Sequence, residues 1–551
     1  MVLRFFLWCW CLIQGLNLAA ANYQITTLAS SGAGSLVNQA AVATANGDTL
    51  QFVITAGGQI TLANLSPLSI VANITLYNST GFGSITVGTT APNLFSIAGN
   101  VTNFTIGTPN FDGPIIINAP MVFNNAAAPA VFNLNAFQLS LLSNISLGEN
   151  WSCSFNRDFV TSGITLGSTL SNTINVAASR TVTMNGVVAG SGFVKTGTGG
   201  LILSNDLNSY TGVTDVQQGT LFYTLAGSVS TLNKGVNIAT GAILNIGGCA
   251  TGITFNGISG NGLLSLGTKR FTSNTVTANA SFAGTITGTG VFTKSGPFTQ
   301  VLSGVSSYTG VTTITEGTLS ISGAGSISSS GQVTVDATTA SATLAIDNAS
   351  GTVTLRRIAG SGNIRLGANS LQLLYPNSSE FSGTISGTGG IIKTGSGTMS
   401  LSGVNTYTGL TDIRQGILAL TTAGTIITQA AVNIEPGAVF SFVRIDPVGL
   451  TLGSLSGGGN VSLGAKILTI NAATTGSSFN GIISGSQGIV KTGSLALTLS
   501  GISIYTGTTT LSEGVLSLSG AGSISLSNSL NVATSTLNPT QGFFLDQSIV
   551  G

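Results

Sequence analysis

The chain has 551 residues, 6 % of them charged and 42 % hydrophobic, with a formal net charge of +1. Globular proteins carry about 25 % charged residues, so this composition argues against helices laced with ion pairs and against a phosphate-neutralising face for nucleic acid. The near-ordinary apolar fraction argues against a disordered tract, and the length points to several cores or a repeating array.

The chain opens like a secretory leader. Arg4 supplies the positive end, Phe5 to Ile13 form the apolar stretch, and Ala19-Ala20-Ala21 offers a cleavage site before Asn22. Residues 1–21 are therefore expected to be a signal peptide. Cys9 and Cys11 fall inside it, and each follows a tryptophan rather than the small residue a lipoprotein would need. Cys153 and Cys249 remain, too few for a disulfide framework and better read as buried small hydrophobes.

Residues 22–185 form the next region. Between Asp48 and Glu149 the only charged residue is Asp112, yet Gly57-Gly58, Pro67, Gly81 and Gly83 punctuate the segment. A spanning helix needs about 20 mainly apolar residues without such breaks. The alternation predicts strands that cap the array to follow.

From 186 to 530 the chain keeps time. Tyr-Thr-Gly recurs at Tyr210, Tyr308, Tyr407 and Tyr505, at intervals of 98, 99 and 98 residues. Lysine recurs at Lys195, Lys294, Lys393 and Lys491, at intervals of 99, 99 and 98. The glycines of the tripeptide are Gly212, Gly310, Gly409 and Gly507. Beyond them, Thr214, Thr312, Thr411 and Thr509 share a strand face with Val216, Ile314, Ile413 and Leu511, and Leu221, Leu319, Leu418 and Leu516 return to the interior after a turn glycine. Phe282, Phe381 and Phe479 each precede a glycine on the approach to the next lysine. No apolar stripe of helical period appears outside the leader. The pattern predicts an all-β solenoid of stacked parallel coils, about four coils per unit, rather than a propeller, whose blades would repeat at half the interval. Residues 531–551 read as the start of a further unit.

The string from Lys393-Thr-Gly-Ser-Gly-Thr-Met399 through Asn405-Thr-Tyr-Thr-Gly-Leu-Thr411 to Gly416-Ile-Leu418 resembles the autotransporter-associated β-strand repeat, also called the passenger-associated transport repeat. The other three copies resemble it less closely: copy two carries Ser295-Gly-Pro-Phe298 and copy four Leu495 where glycine is expected. This resemblance implies a right-handed parallel β-helix, an elongated rod in the passenger region of a bacterial secreted protein, with repeats that assist folding and export. It implies display at the cell surface or outer membrane, or release outside the cell, and an unknown surface or extracellular ligand. Such proteins end in a membrane β-barrel that this chain, stopping at Gly551, does not contain, so translocation through the outer-membrane machinery would need a barrel from elsewhere, and without one the product would stay periplasmic.

The sequence offers little chemistry. With no histidine, the usual relay for nucleophilic catalysis and the commonest zinc ligand are missing. Asp336 with Asp347, and Asp206 with Asp215, are the candidate carboxylate pairs for a glycosidase, and exposed turns account for them better. No dense acidic cluster suggests calcium. The adjacent basic pairs Lys269-Arg270 and Arg356-Arg357 read as solvated turns. The recurrent lysines would stand about four coils, roughly 20 Å, apart on one face, too far to share a ligand, and read as solvated or carbonyl-bonding turn residues. The tyrosines read as anchors packing a turn. The expectation is thus a non-enzymatic structural or adhesin-like passenger without cofactor or metal. A carbohydrate-active β-helical lyase or hydrolase, and an inert fragment of a larger autotransporter, are the competing readings.

Overall fold

Short strands of two to eight residues, many separated by glycine turns, pair in parallel with strands one coil further along in the computed structural model. It describes only strands between residues 22 and 161, and the chain from 164 to 532 apart from 167–171, 225–234, 338–340, 375–376, 428–429, 446–448 and 525. The leader (1–21), most of the segment 531–551 and the side chains of most of 22–161 lie outside the described residues.

The chain divides into two compact units, residues 1–255 with 262–265, and 256–261 with 266–551. In the first, three parallel ladders form three walls. One runs from Asn22–Ile25 through Asp48–Phe52 and on to Val236–Ile238. A second runs from Gln59–Leu62 to Leu263–Ser265, and a third from Leu68–Ile70 to Val188–Ala189. The second unit is built alike. Its longest ladder climbs from Arg270–Asn274 through Phe292–Ser295 and Thr398–Leu401 to Ile482–Gly485. Beside it stand a ladder from Val353–Leu355 to Val515–Leu518 and another from Gly449–Leu452 to Leu530–Val532. Among the described residues the chain is all-β, each unit a parallel β-solenoid, and no helix is long and apolar enough to cross a membrane.

Alternation sets the core. In Phe193–Thr196, Thr214–Val216 and Ile467–Asn471, alternate residues are buried, because successive side chains leave opposite faces of a strand. Leu221, Leu319, Leu418 and Leu516 fill the bore, as do Phe282, Phe381 and Phe479. Cys153 and Cys249 are buried and not joined in a disulfide, and Cys249 Sγ donates to the Tyr223 carbonyl at 3.4 Å.

The coil count per unit departs from expectation. In the second unit Lys294 pairs in register with Ile314, which pairs with Val335, then Gly360, Phe381 and Leu401. Five coils thus take 107 residues, about 21 each. Lys393 reaches Leu499 through Ile413, Ile434, Gly457 and Phe479, again in five coils. Leu401 and Leu499 belong to the strand after the lysine strand in their own copies, one wall further on. A copy therefore advances five coils less one wall, or four and two-thirds coils, not four. A repeat of 98 or 99 residues is not a whole number of 21-residue coils, so each copy starts on the next wall.

Candidate functional site

The repeated residues converge on two constructions, a lysine clip and a tyrosine plug. Each lysine lies on the inward face of its strand, is fully buried, and is followed by a turn whose glycine has a left-handed backbone, with φ of 70° at Gly197, 77° at Gly296, 82° at Gly395 and 76° at Gly493. That conformation, open to glycine without steric cost, bends the chain so that carbonyl oxygens face the amine. Lys393 Nζ donates to the carbonyls of Thr394 at 3.1 Å, Gly395 at 2.7 Å and Gln415 at 3.0 Å. Lys294 donates to Ser295 at 2.8 Å, Gly296 at 2.7 Å and Glu316 at 3.0 Å. Lys195 does so to Thr196, Gly197 and Gln218, and Lys491 to Thr492, Gly493 and Glu513.

An ammonium has three protons, and each finds an acceptor. Two acceptors belong to the lysine's own turn and one to the turn a coil away, so the amine ties consecutive coils together at a corner. Burial lowers all four amines from 10.5 to about 8, opposed in part at Lys294 and Lys491 by Glu316 and Glu513. They remain charged at neutral pH. The sequence pointed to solvated or carbonyl-bonding turn residues that whole-unit spacing could align on one face. They point inward, and in the second unit Lys294, Lys393 and Lys491 sit on three different ladders. The reason is the two-thirds coil left over per copy.

The plug fills a gap. Where Tyr-Thr-Gly occurs the wall has no strand, only the isolated pairings Val305 with Ser326, Val404 with Thr425 and Ile502 with Ser523. Tyr210, Tyr308, Tyr407 and Tyr505 are buried in the space so left, each hydroxyl bonded to the threonine four residues on, at 2.9, 2.6, 2.7 and 2.7 Å. Burial pushes the phenols of Tyr210, Tyr407 and Tyr505 up to about 12, against a smaller lowering by those threonine bonds, and raises Tyr308 too. In copy one Tyr210 also shares a short hydrogen bond with Tyr223. Each glycine of the tripeptide is pressed on the coil below. A Cβ on Gly310 would lie 1.9 Å from the Gly290 carbonyl oxygen, on Gly212 1.9 Å from Gly192 N, and on Gly409 and Gly507 2.4 and 2.3 Å from backbone carbons.

One functional position escaped the sequence reading. The residue two before each tyrosine stands in for the missing strand: Asn208 Oδ1 accepts the Val188 N–H at 2.7 Å, Asn405 Oδ1 that of Ile385 at 3.1 Å, and Ser306 Oγ that of Ile286 at 3.2 Å. In copy four Ser503 Oγ is buried without a partner. A polar residue at a fixed distance before the tyrosine was the available signal. Leu495, the residue in place of glycine in copy four, points outward at 40 % exposure.

Two of the four candidate carboxylates are engaged elsewhere, while Asp206 Oδ1 is buried without a hydrogen-bond partner. Asp347 pairs with Arg365 at 2.6 Å, and Asp215 accepts from Asn237 and Gln217. Among the described residues no three His, Cys, Asp or Glu side chains gather as metal ligands. The carbonyl cages are the nearest approach to a cation site, and each is filled by its own lysine.

A family model, the passenger-associated transport repeat, matches residues 193–221, 292–321, 391–420 and 489–518, which span each lysine clip and the plug beyond it. The chain carries four passenger-associated transport repeats. The chain is also 31 % identical over 368 residues to the adhesin BmaC autotransporter of Brucella suis biovar 1 (strain 1330), a stretch covering 63 % of this chain. The chain spans only 10 % of that relative's length. No solved structure matches. Each repeat match thus covers one clip and one plug, and among the described residues the coils between consecutive matches lack both.

Proposed function

We infer that this chain is an adhesive, non-enzymatic passenger segment, exported through the leader at 1–21 and displayed at or beyond the cell surface, with the four repeats holding the solenoid in a form suited to export. The observation that carries this reading is the clip and plug returning in all four repeats of a chain similar to an autotransporter adhesin. A solenoid offers a long surface whose turns can differ without disturbing the ladders, which suits recognition. The clip amines are spent on backbone carbonyls and the plug hydroxyls on threonines, which suits structure rather than turnover.

The test is saturable binding of the purified chain, leader removed, to host and bacterial cells. Absence of saturation at micromolar concentration removes adhesion and leaves a scaffold. Release of reducing or unsaturated ends from polysaccharides, with a rate tied to carboxylates of the chain, overturns the non-enzymatic part. For export, disruption of two clips at once is expected to lower the amount displayed while leaving expression unchanged.

A further inference from the structure

One surface groove combines polar groups that the fold leaves unused. It lies in the second unit, encloses about 450 Å³, and is lined by Ser328, Ser329, Arg356, Leu374, Gly395, Ser396 and Gln415. Arg356 follows the strand Val353–Leu355, Leu374 follows Leu371–Leu373, Ser396 comes three residues after Ile391–Lys393, and Gln415 two after Thr411–Ile413. These four strands pair in that order, so the groove runs along one corner over four successive coils, about 14 Å. Its floor is fixed, because the Gly395 and Gln415 carbonyls are both held by Lys393 Nζ.

Two features define what fits. The first is charge. The groove holds a guanidinium and lies over a buried ammonium, and no carboxylate lines it. Arg356 makes no ion pair among the described residues, unlike Arg365 and Arg414. The second is unspent hydrogen-bonding capacity. The side chains of Ser329, Arg356, Ser396 and Gln415 bond to no described residue, while Leu374, 37 % exposed, adds an apolar face. Hydroxyls and an amide, which both donate and accept, beside one apolar face and one cation, match a sugar bearing a carboxylate. An acidic peptide fits less well, because it would seek a continuous open strand edge, and of these four strands only Val353–Leu355, three residues long and the first of its ladder, has an unpaired side.

We propose that the groove at Arg356 binds an acidic saccharide along the solenoid corner, its carboxylate on the Arg356 guanidinium and its hydroxyls on Ser329, Ser396 and Gln415. Arg356, though not its neighbour Arg357, is thereby a recognition residue rather than part of a solvated turn. The assignment leans on the adhesive reading only for its use at a surface.

The test is calorimetric titration of the leader-free chain with trigalacturonate, and with galactotriose as the neutral probe of equal length. Binding of the acidic sugar, at least tenfold weaker binding of the neutral one, and at least a tenfold loss in Arg356→Ala support the proposal, as does a smaller loss in Arg356→Lys. Arg356 is exposed, and an unchanged circular dichroism melt of the variant shows that it folds. Equal binding of both sugars overturns the proposal, as does acidic binding indifferent to Arg356→Ala, or none at millimolar concentration. Equal, Arg356-dependent binding of a triglutamate peptide overturns the saccharide assignment. Because these titrations use no cells, their failure removes the groove's ligand and leaves cell binding to be judged by its own assay.

Discussion

Replacing Lys393 by methionine keeps the stem that packs in the bore and deletes the ammonium. Three charge-assisted bonds are lost, each about 1.5–3 kcal/mol, and three turn carbonyls stay buried without their donor. Against this, burial of the charge costs about 3 kcal/mol, the free energy of a fall from 10.5 to about 8. The net loss is about 3 kcal/mol. In a solenoid such a loss is felt locally, since each coil contacts only its neighbours. Amide exchange read by mass spectrometry on peptides covering 391–420 is therefore expected to speed up roughly a hundredfold at neutral pH, with 292–321 unchanged. An acceleration below threefold, or an equal change in both regions, would refute the idea that the clip locks adjacent coils.

The remaining predictions concern pH, the plug and its cap. Because folding lowers the four lysines to about 8, the unfolded chain binds more protons between pH 8 and 10.5, so stability should rise with pH from 8 to 10, by at most about 3 kcal/mol per lysine. Above pH 10 the tyrosines oppose it, since their phenols ionise near 10 when unfolded but near 12 in the fold for Tyr210, Tyr407 and Tyr505. Thermal midpoints should therefore peak near pH 10, and a flat profile from 8 to 10 counts against charged, buried clips. Gly310→Ala should cost about 2–3 kcal/mol, measured by urea denaturation, because its Cβ collides with the Gly290 backbone. Asn405→Ala should cost about 2 kcal/mol by stranding the Ile385 N–H, whereas Ser503→Asn should gain about 1 kcal/mol by supplying copy four with the cap that copies one and three possess. If Ser503→Asn destabilises, the equivalence of the four caps is wrong.

The architecture was open to inspection in the chain because period-two burial and turn glycines leave the same mark in every copy. Thr214 and Val216 are buried on either side of the outward Asp215 only if one face of the strand is inside. The lysines kept their secret because a charged side chain reads as exposed unless its acceptors are known, and backbone carbonyls leave no residue type behind. Asn208 and Ser306 act alike through different side chains, so identity alone would not align them. The phase of the copies was hidden too. Counting letters gives the length of a unit, whereas the length of a coil depends on which residues pair across the ladder. The Arg356 groove gathers residues from segments up to 87 positions apart, and only Gly395, Ser396 and Gln415 among them belong to a repeat.

The leftover two-thirds of a coil shapes how this gene can change. Losing or gaining one copy between equivalent points joins strands that already fit, so the ladder heals without a misfit. Within the second unit, however, everything beyond such a junction is swung about the axis by one wall, a third of a revolution. Three copies complete fourteen coils and bring the next back to the same bearing. Recombination can therefore re-aim a distal patch relative to a proximal one without altering a single side chain in either.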